Sequence, residues 1–139
     1  MTDKKKPLIL VVSVVIINKN KQILMQERPK NKNFGGYWEL PGGKIELYET
    51  PEIALLREIQ EELNIKLDKN SLTNFSFITH EYEDFFILMP IYISRKWKGT
   101  IKANDEQTIM FCDEESLNNL KIIDADIPLI KPMIELIKK

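Results

Sequence analysis

The chain has 139 residues, with 20 Lys and Arg against 21 Asp and Glu, one His, and a formal net charge of −1. That length suits one domain with a real hydrophobic core, and 43% hydrophobic with 29% charged residues excludes a disordered tail protein. The balanced charge argues against a protein that coats nucleic acid, while a single cysteine (Cys112) and a single histidine (His80) exclude an internal disulfide and a Cys/His zinc site. Any metal held here must therefore take mostly oxygen ligands.

Lys4, Lys5 and Lys6 precede an apolar run over residues 8–17. The run mimics a secretory signal, but it is far short of the ~20 residues of a membrane span. No small-residue cleavage site follows it, and its Val and Ile content predicts a buried strand in a cytoplasmic protein. Residues 23–28 predict a second strand, paired with the first as a hairpin across the polar stretch 18–22. Residues 29–36 form a polar loop, and 37–40 a short strand stopped by Pro41-Gly42-Gly43. Residues 50–63 are the clearest helix, with Thr50 as its cap and Pro51 in its first turn. Residues 75–79 and 85–94 predict aromatic and β-branched strands, and 108–112 another. Short and longer helices follow at 114–120 and 128–138. Strands and two substantial helices without strict alternation suggest a mixed sheet packed by helices.

At 100° per residue, Glu58, Glu61 and Glu62 share an arc of about 100° on the 50–63 helix, roughly opposite Ile53, Leu56, Ile59 and Leu63. Like charges at this spacing cost a few tenths of a kcal/mol per pair. They are either a solvated acidic face or ligands for a hard cation such as Mg²⁺, which takes one or two carboxylates together with substrate phosphates.

The surrounding sequence decides. It runs Gly43, five residues, Glu49, seven residues, Arg57-Glu58, Ile59, Gln60, Glu61-Glu62, Leu63, Asn64, Ile65. This resembles the Nudix box, matching six of seven fixed identities and both aliphatic positions. Asn64 stands where the family has Gly, in a helix-ending position that Asn tolerates next best. Trp38-Glu39-Leu40-Pro41-Gly42-Gly43-Lys44-Ile45-Glu46 is similar to the segment leading into the box in MutT-type members. Trp97-Lys98-Gly99 is similar to their Trp-x-Gly turn, and Asp126-Ile127-Pro128-Leu129-Ile130 to the segment before their last helix. Tyr48 replaces a common Gly, and Phe111 a common Trp.

The resemblance implies an α/β fold, the Nudix α/β/α sandwich with a mixed sheet, in one domain over residues 1–139. It implies hydrolysis of a nucleoside diphosphate linked to another group. For the MutT type this is a nucleoside triphosphate cleaved to monophosphate and pyrophosphate, with 8-oxo-dGTP as the favoured substrate. Other nucleoside triphosphates, dinucleoside polyphosphates and nucleotide sugars are alternatives, as is a binding domain that has lost catalysis. The intact Arg57-Glu58 and Glu61-Glu62 pairs count against that loss.

The implied cofactor is Mg²⁺, with Mn²⁺ as a substitute. Its implied ligands are Glu58, Glu61, Glu62, the carbonyl of Gly42 and an acid near Asp105 or Glu106. Glu58 or a nearby carboxylate takes the proton of the attacking water. Arg57 pairs with Glu49 to hold the loop against the helix. Arg28 and Lys44 are candidates for phosphate contact, Arg28 being otherwise a solvated strand end. Asp126 either accepts hydrogen bonds from a guanine-like base edge or caps the last helix. The expected partner is a small nucleotide, with no stable nucleic-acid partner, no membrane, and a monomer or homodimer. Residues 43–65 carry a net −4, so the rest of the chain is mildly basic at +3.

Overall fold

The first strand, β1 (Leu8–Ile16), is buried on both faces over its second half. Val12, Val14 and Ile16 point into one apolar cluster, and Val15 points into the other. A strand covered on both sides needs no alternation of polar and apolar residues, hence the continuous run. The computed structural model describes residues 5–104 and 107–139; Asp105 and Glu106 lie outside the described residues.

After β1 come β2 (Ile23–Glu27), β3 (Trp38–Glu39), β4 (Gly42–Lys44) and helix α1 (Pro51–Leu63). Then follow β5 (Lys66–Leu67), β6 (Thr73–Glu81), β7 (Phe86–Ser94), β8 (Trp97–Lys98) and β9 (Thr108–Cys112). Helix α2 (Glu114–Asn119), a 3₁₀ segment (Asp124–Leu129) and helix α3 (Ile130–Lys138) complete the order. One sheet runs β4-β1-β7-β6, with β1 and β7 parallel and the other pairs antiparallel. A second runs β3-β2-β9, all antiparallel, and β5 pairs with β8. Ala54, Leu55, Ile59 and Leu63 of α1 pack on one side of the strands; Leu117, Met133 and Ile137 of α2 and α3 pack on the other. This is the α/β/α sandwich with mixed strand directions. Among the described residues no helix is long and apolar enough to cross a membrane.

Four local expectations are corrected. The β1–β2 hairpin does not continue into a ladder. Asn18 Oδ1 accepts from the N–H groups of Asn20 and Gln22 and makes the turn, but only a single bridge, Ile17 to Ile23, joins the strands. Both edges of β1 are already taken by β4 and β7, so β2 starts a separate sheet. Strand β3 does end before Pro41, but Gly42 and Gly43 are not merely a turn; they begin β4, paired with Ser13 and Val12. Strand β6 outruns 75–79 at both ends, because an edge strand needs backbone pairing and not apolar side chains. The last helix begins at Ile130, with Pro128 inside the preceding 3₁₀ segment and Pro132 in the helix's first turn, where its missing N–H costs nothing. Asp126 caps neither segment.

Candidate active site

Helix α1 is fixed at both ends. Thr50 accepts from the Ile53 N–H at 3.2 Å, and Asn64 ends the helix in the left-handed region at φ 62°. The Asn64 side chain does what a glycine cannot. Its Nδ2 donates to the Lys102 carbonyl at 2.8 Å and to Asn104 Oδ1 at 2.7 Å, and Asn104 returns a hydrogen bond to Asn64 Oδ1 at 3.2 Å. The Lys102 and Asn104 N–H groups cover the helix carbonyls of Leu63 and Glu62, and the Asn104 amide covers that of Glu61. The loop leading to Asp105 is thereby tied beside the acidic end of α1.

The Arg57 guanidinium grips Glu49 through both oxygens, at 2.7 and 2.8 Å. It also reaches Glu58 Oε1 at 2.7 Å and the Lys44 carbonyl at 3.1 Å. A bidentate Arg–carboxylate pair of this kind joins strength to fixed geometry. It holds Glu49 down to a pKa of about 2, chiefly through that hydrogen bond. Arg57 itself is pushed upward, again mainly by Glu49. Neither residue lines the cleft described next.

On the other side of Glu58, a Cβ at Gly43 would collide with Glu58 Oε2, and one at Gly42 with the Val12 carbonyl. Both glycines are needed for close approach: one seats β4 against β1, the other seats the Glu58 carboxylate against β4. Glu58 and Glu62 then face a cleft of about 720 Å³ that also contains Gly42, Lys44, Arg28 and Asp126. A second hollow of about 570 Å³ adjoins it, sharing Gln26, Arg28, Glu39 and Glu62, and ends at Asn104 and Gln107 on either side of residues 105–106. Six of the candidate residues named from sequence thus meet in one cleft. Glu61 does not line it; its side chain is 60% exposed and 3.6 Å from Arg57.

The cleft's donors are all oxygens. Among the described residues no group of three or more His, Cys, Asp or Glu side chains is placed to hold a metal ion. The two carboxylates that line the cleft, Glu58 and Glu62, are the number and kind of side chain that Mg²⁺ shares with water and a substrate's phosphates. The buried carbonyl oxygens Gln26 Oε1 and Gln107 Oε1 have no hydrogen-bond partner among the described residues, and they suit a hydrated cation's water.

Asp126 also lines the cleft and is only 3% exposed. Its Oδ2 accepts from the Leu40 N–H at 2.9 Å. Burial pushes its carboxyl up to about 7, with Glu39 adding repulsion and the Leu40 hydrogen bond opposing. Arg28 Nη1 pairs with Glu39 at 3.2 Å while its Nε donates to the Asn33 carbonyl at 2.8 Å. Burial also raises Glu39, and Arg28 partly offsets this.

Sequence reasoning assigned Glu39 no role. It stood in a quoted motif, but its burial depends on β2, which lies alongside β3. Phe34 and Tyr82, whose ring centroids are 5.4 Å apart, form an aromatic edge of the cleft with Phe85. Tyr37, Trp38 and Phe86 do not line it.

The NUDIX domain profile matches residues 7–133. The 8-oxo-dGTP diphosphatase of Proteus vulgaris is 39% identical over 101 residues, covering 73% of this chain and 87% of that one. The CTP pyrophosphohydrolase of Escherichia coli (strain K12) is 30% identical over 125 residues, 90% of this chain and 91% of that one. A solved MutT structure, described for Aliivibrio salmonicida and Vibrio cholerae, superposes with a TM-score of 0.79 at 26% identity, covering 93% and 98% of the two chains.

Proposed function

The chain belongs to the NUDIX domain family and is a Nudix hydrolase, and from that premise we propose that it cleaves a nucleoside triphosphate to the monophosphate and pyrophosphate, with Mg²⁺ as cofactor and 8-oxo-dGTP as substrate. One observation carries this reading. A single cleft joins the Glu58–Glu62–Gly42 wall to a buried carboxyl, Asp126, with Arg28 also on it. A triphosphate needs cations and a water at one end and a base-sized recognition group at the other.

Glu58, Glu62, Glu61 and the Gly42 carbonyl would hold Mg²⁺, with Asp105 or Glu106 as the outer acid. When bound, the cation supplies charge neutralisation for the phosphate oxygens and activation of water. Glu58, or a carboxylate beside it, takes the proton of the attacking water. The Arg57–Glu49 clamp acts through Glu58, fixing its Oε1 while Gly43 leaves room for its Oε2. Arg28 and Lys44 meet the polyphosphate, and Phe34, Tyr82 and Phe85 bound the site for the base.

Pyrophosphate and phosphate release over oxidised and normal nucleotides, dinucleoside polyphosphates and nucleotide sugars tests the reaction. Glu58→Gln and Glu62→Gln are each expected to cut turnover by orders of magnitude with the fold intact. Near-wild-type hydrolysis by both variants would falsify the assignment.

Similarity to a CTP pyrophosphohydrolase over 90% of the chain favours one rival base. Asp126 separates the two chemically. Ionised, it offers acceptors, which suits the N–H donors of a guanine-like edge. Protonated, it donates as well, which suits the acceptor nitrogen and amino group of cytosine. Asp126→Ala is expected to change the ratio of 8-oxo-dGTP to dGTP hydrolysis more than the Mg²⁺ requirement. An unchanged ratio removes Asp126 from base reading.

A further inference from the structure

A second concavity lies apart from the catalytic cleft. It is an open groove of about 890 Å³ formed by three segments far apart in sequence, around residues 17–20, 66–70 and 95–98. Six cations line it: Lys19, Lys66, Lys69, Arg95, Lys96 and Lys98. All six are exposed, and none forms an ion pair with a described residue. The one acid present, Asp68, already accepts a hydrogen bond from the Asn70 N–H. The groove therefore carries a net +5, more than the +3 of everything outside residues 43–65. Its apolar surface is supplied by Leu56, Leu67 and the half-buried ring of Trp97.

Unpaired cations held together repel one another, and a bound anion relieves that repulsion. The ligand class follows from number and shape. Six cations exceed the charge of a free nucleotide, and an open groove admits a chain. Cations around an aromatic ring are the pattern by which single strands are held, phosphates on the charges and a base against the ring. The site is also separate from the catalytic one. Leu56 stands about 160° around α1 from Glu58, so the groove and the cleft lie on opposite sides of one helix.

We propose that this groove is a second, non-catalytic site that binds single-stranded nucleic acid through its phosphates. It reads charge and stacking, not sequence. A near-neutral composition concealed it, because its cations are scattered along the chain and only the fold gathers them.

Fluorescence anisotropy of a labelled oligothymidylate, titrated with the full chain, tests the proposal. Binding at low salt is expected, weakening on a log–log plot with a slope as steep as about −4 if all six cations engage. The Lys66→Glu/Lys98→Glu pair should weaken it at least about tenfold while nucleotide hydrolysis stays at the wild-type rate. Retained hydrolysis reports an intact fold; if that pair misfolds, Lys19→Glu/Lys96→Glu replaces it. Three results overturn the proposal: no binding at low salt, unchanged affinity in a folded charge-reversal variant, or binding of inorganic tripolyphosphate without binding of the oligonucleotide. The last would make the groove a small-anion pocket.

Discussion

At the scale of single residues, two carboxyls are displaced in opposite directions, and each leaves its own mark on stability. An Asp that ionises near 3.8 in an open chain does so near 7 at Asp126. Between those values the unfolded chain has released a proton that the folded chain keeps, so stability falls as pH rises through that window. Three units correspond to at most about 4 kcal/mol, present in full above pH 7. Asn keeps an acceptor for the Leu40 N–H but never ionises. Asp126→Asn is therefore expected to raise the melting temperature at pH 8 and leave it nearly unchanged at pH 4. Thermal unfolding at both values measures this, and an equal shift at the two pH values is the contrary result. Glu49 runs the other way. Its lowered pKa means that the Arg57 clamp stabilises the protein above about 4.5 and is lost as pH falls toward 2. Asp126 was visible in the sequence only as an acid with two alternative uses. What makes it unusual, near-total burial beside Glu39, comes from contacts between residues 86 or so positions apart.

At the scale of elements, α1 was legible almost to the residue. Its signals are local: Thr50 and Pro51 at one end, Asn64 at the other, and an apolar stripe between. The two-residue strands β5 and β8 carried no such pattern, and β4 was disguised by glycines that read as a turn. Asn64 looked like a tolerated substitute for Gly and is more than that. Asn64→Gly removes three hydrogen bonds to the 102–104 loop but relieves the left-handed backbone, which costs a non-Gly residue up to about 1–2 kcal/mol. Stability should change by less than about 1 kcal/mol. The Mg²⁺ concentration for half-maximal hydrolysis should rise severalfold, because the loop leading to Asp105 is then held only by its bonds to the Glu61, Glu62 and Leu63 carbonyls. A metal titration of activity separates the two effects, and an unchanged midpoint assigns Asn64 to helix capping alone.

At the scale of the whole molecule, the net charge of −1 conceals two opposed regions: −4 over residues 43–65 and +5 around the distal groove. The acidic region was legible because it is contiguous in sequence. The basic one was not, since its cations come from three separate segments. An acidic segment that holds a cation in the folded state alone gains stability from it by mass action. Millimolar Mg²⁺ is expected to raise the melting temperature by a few degrees, and NaCl at equal ionic strength to raise it less. The Glu58→Gln/Glu62→Gln pair should lose the difference. Equal shifts from both salts would mean general screening only.

The double burial of β1 also bears on how the chain folds as it is made. Its parallel partner β7 lies 78 positions later, Leu8 opposite Phe86. At a synthesis rate of about 5–20 residues per second, β1 waits on the order of 4–16 s for that neighbour. During that time a run of Val and Ile with no polar face is a ready template for pairing with other chains. Strand β4 arrives sooner and can cover only one edge of β1. Residues 12–16 thus keep one apolar strand edge open in the nascent chain until β7 is made.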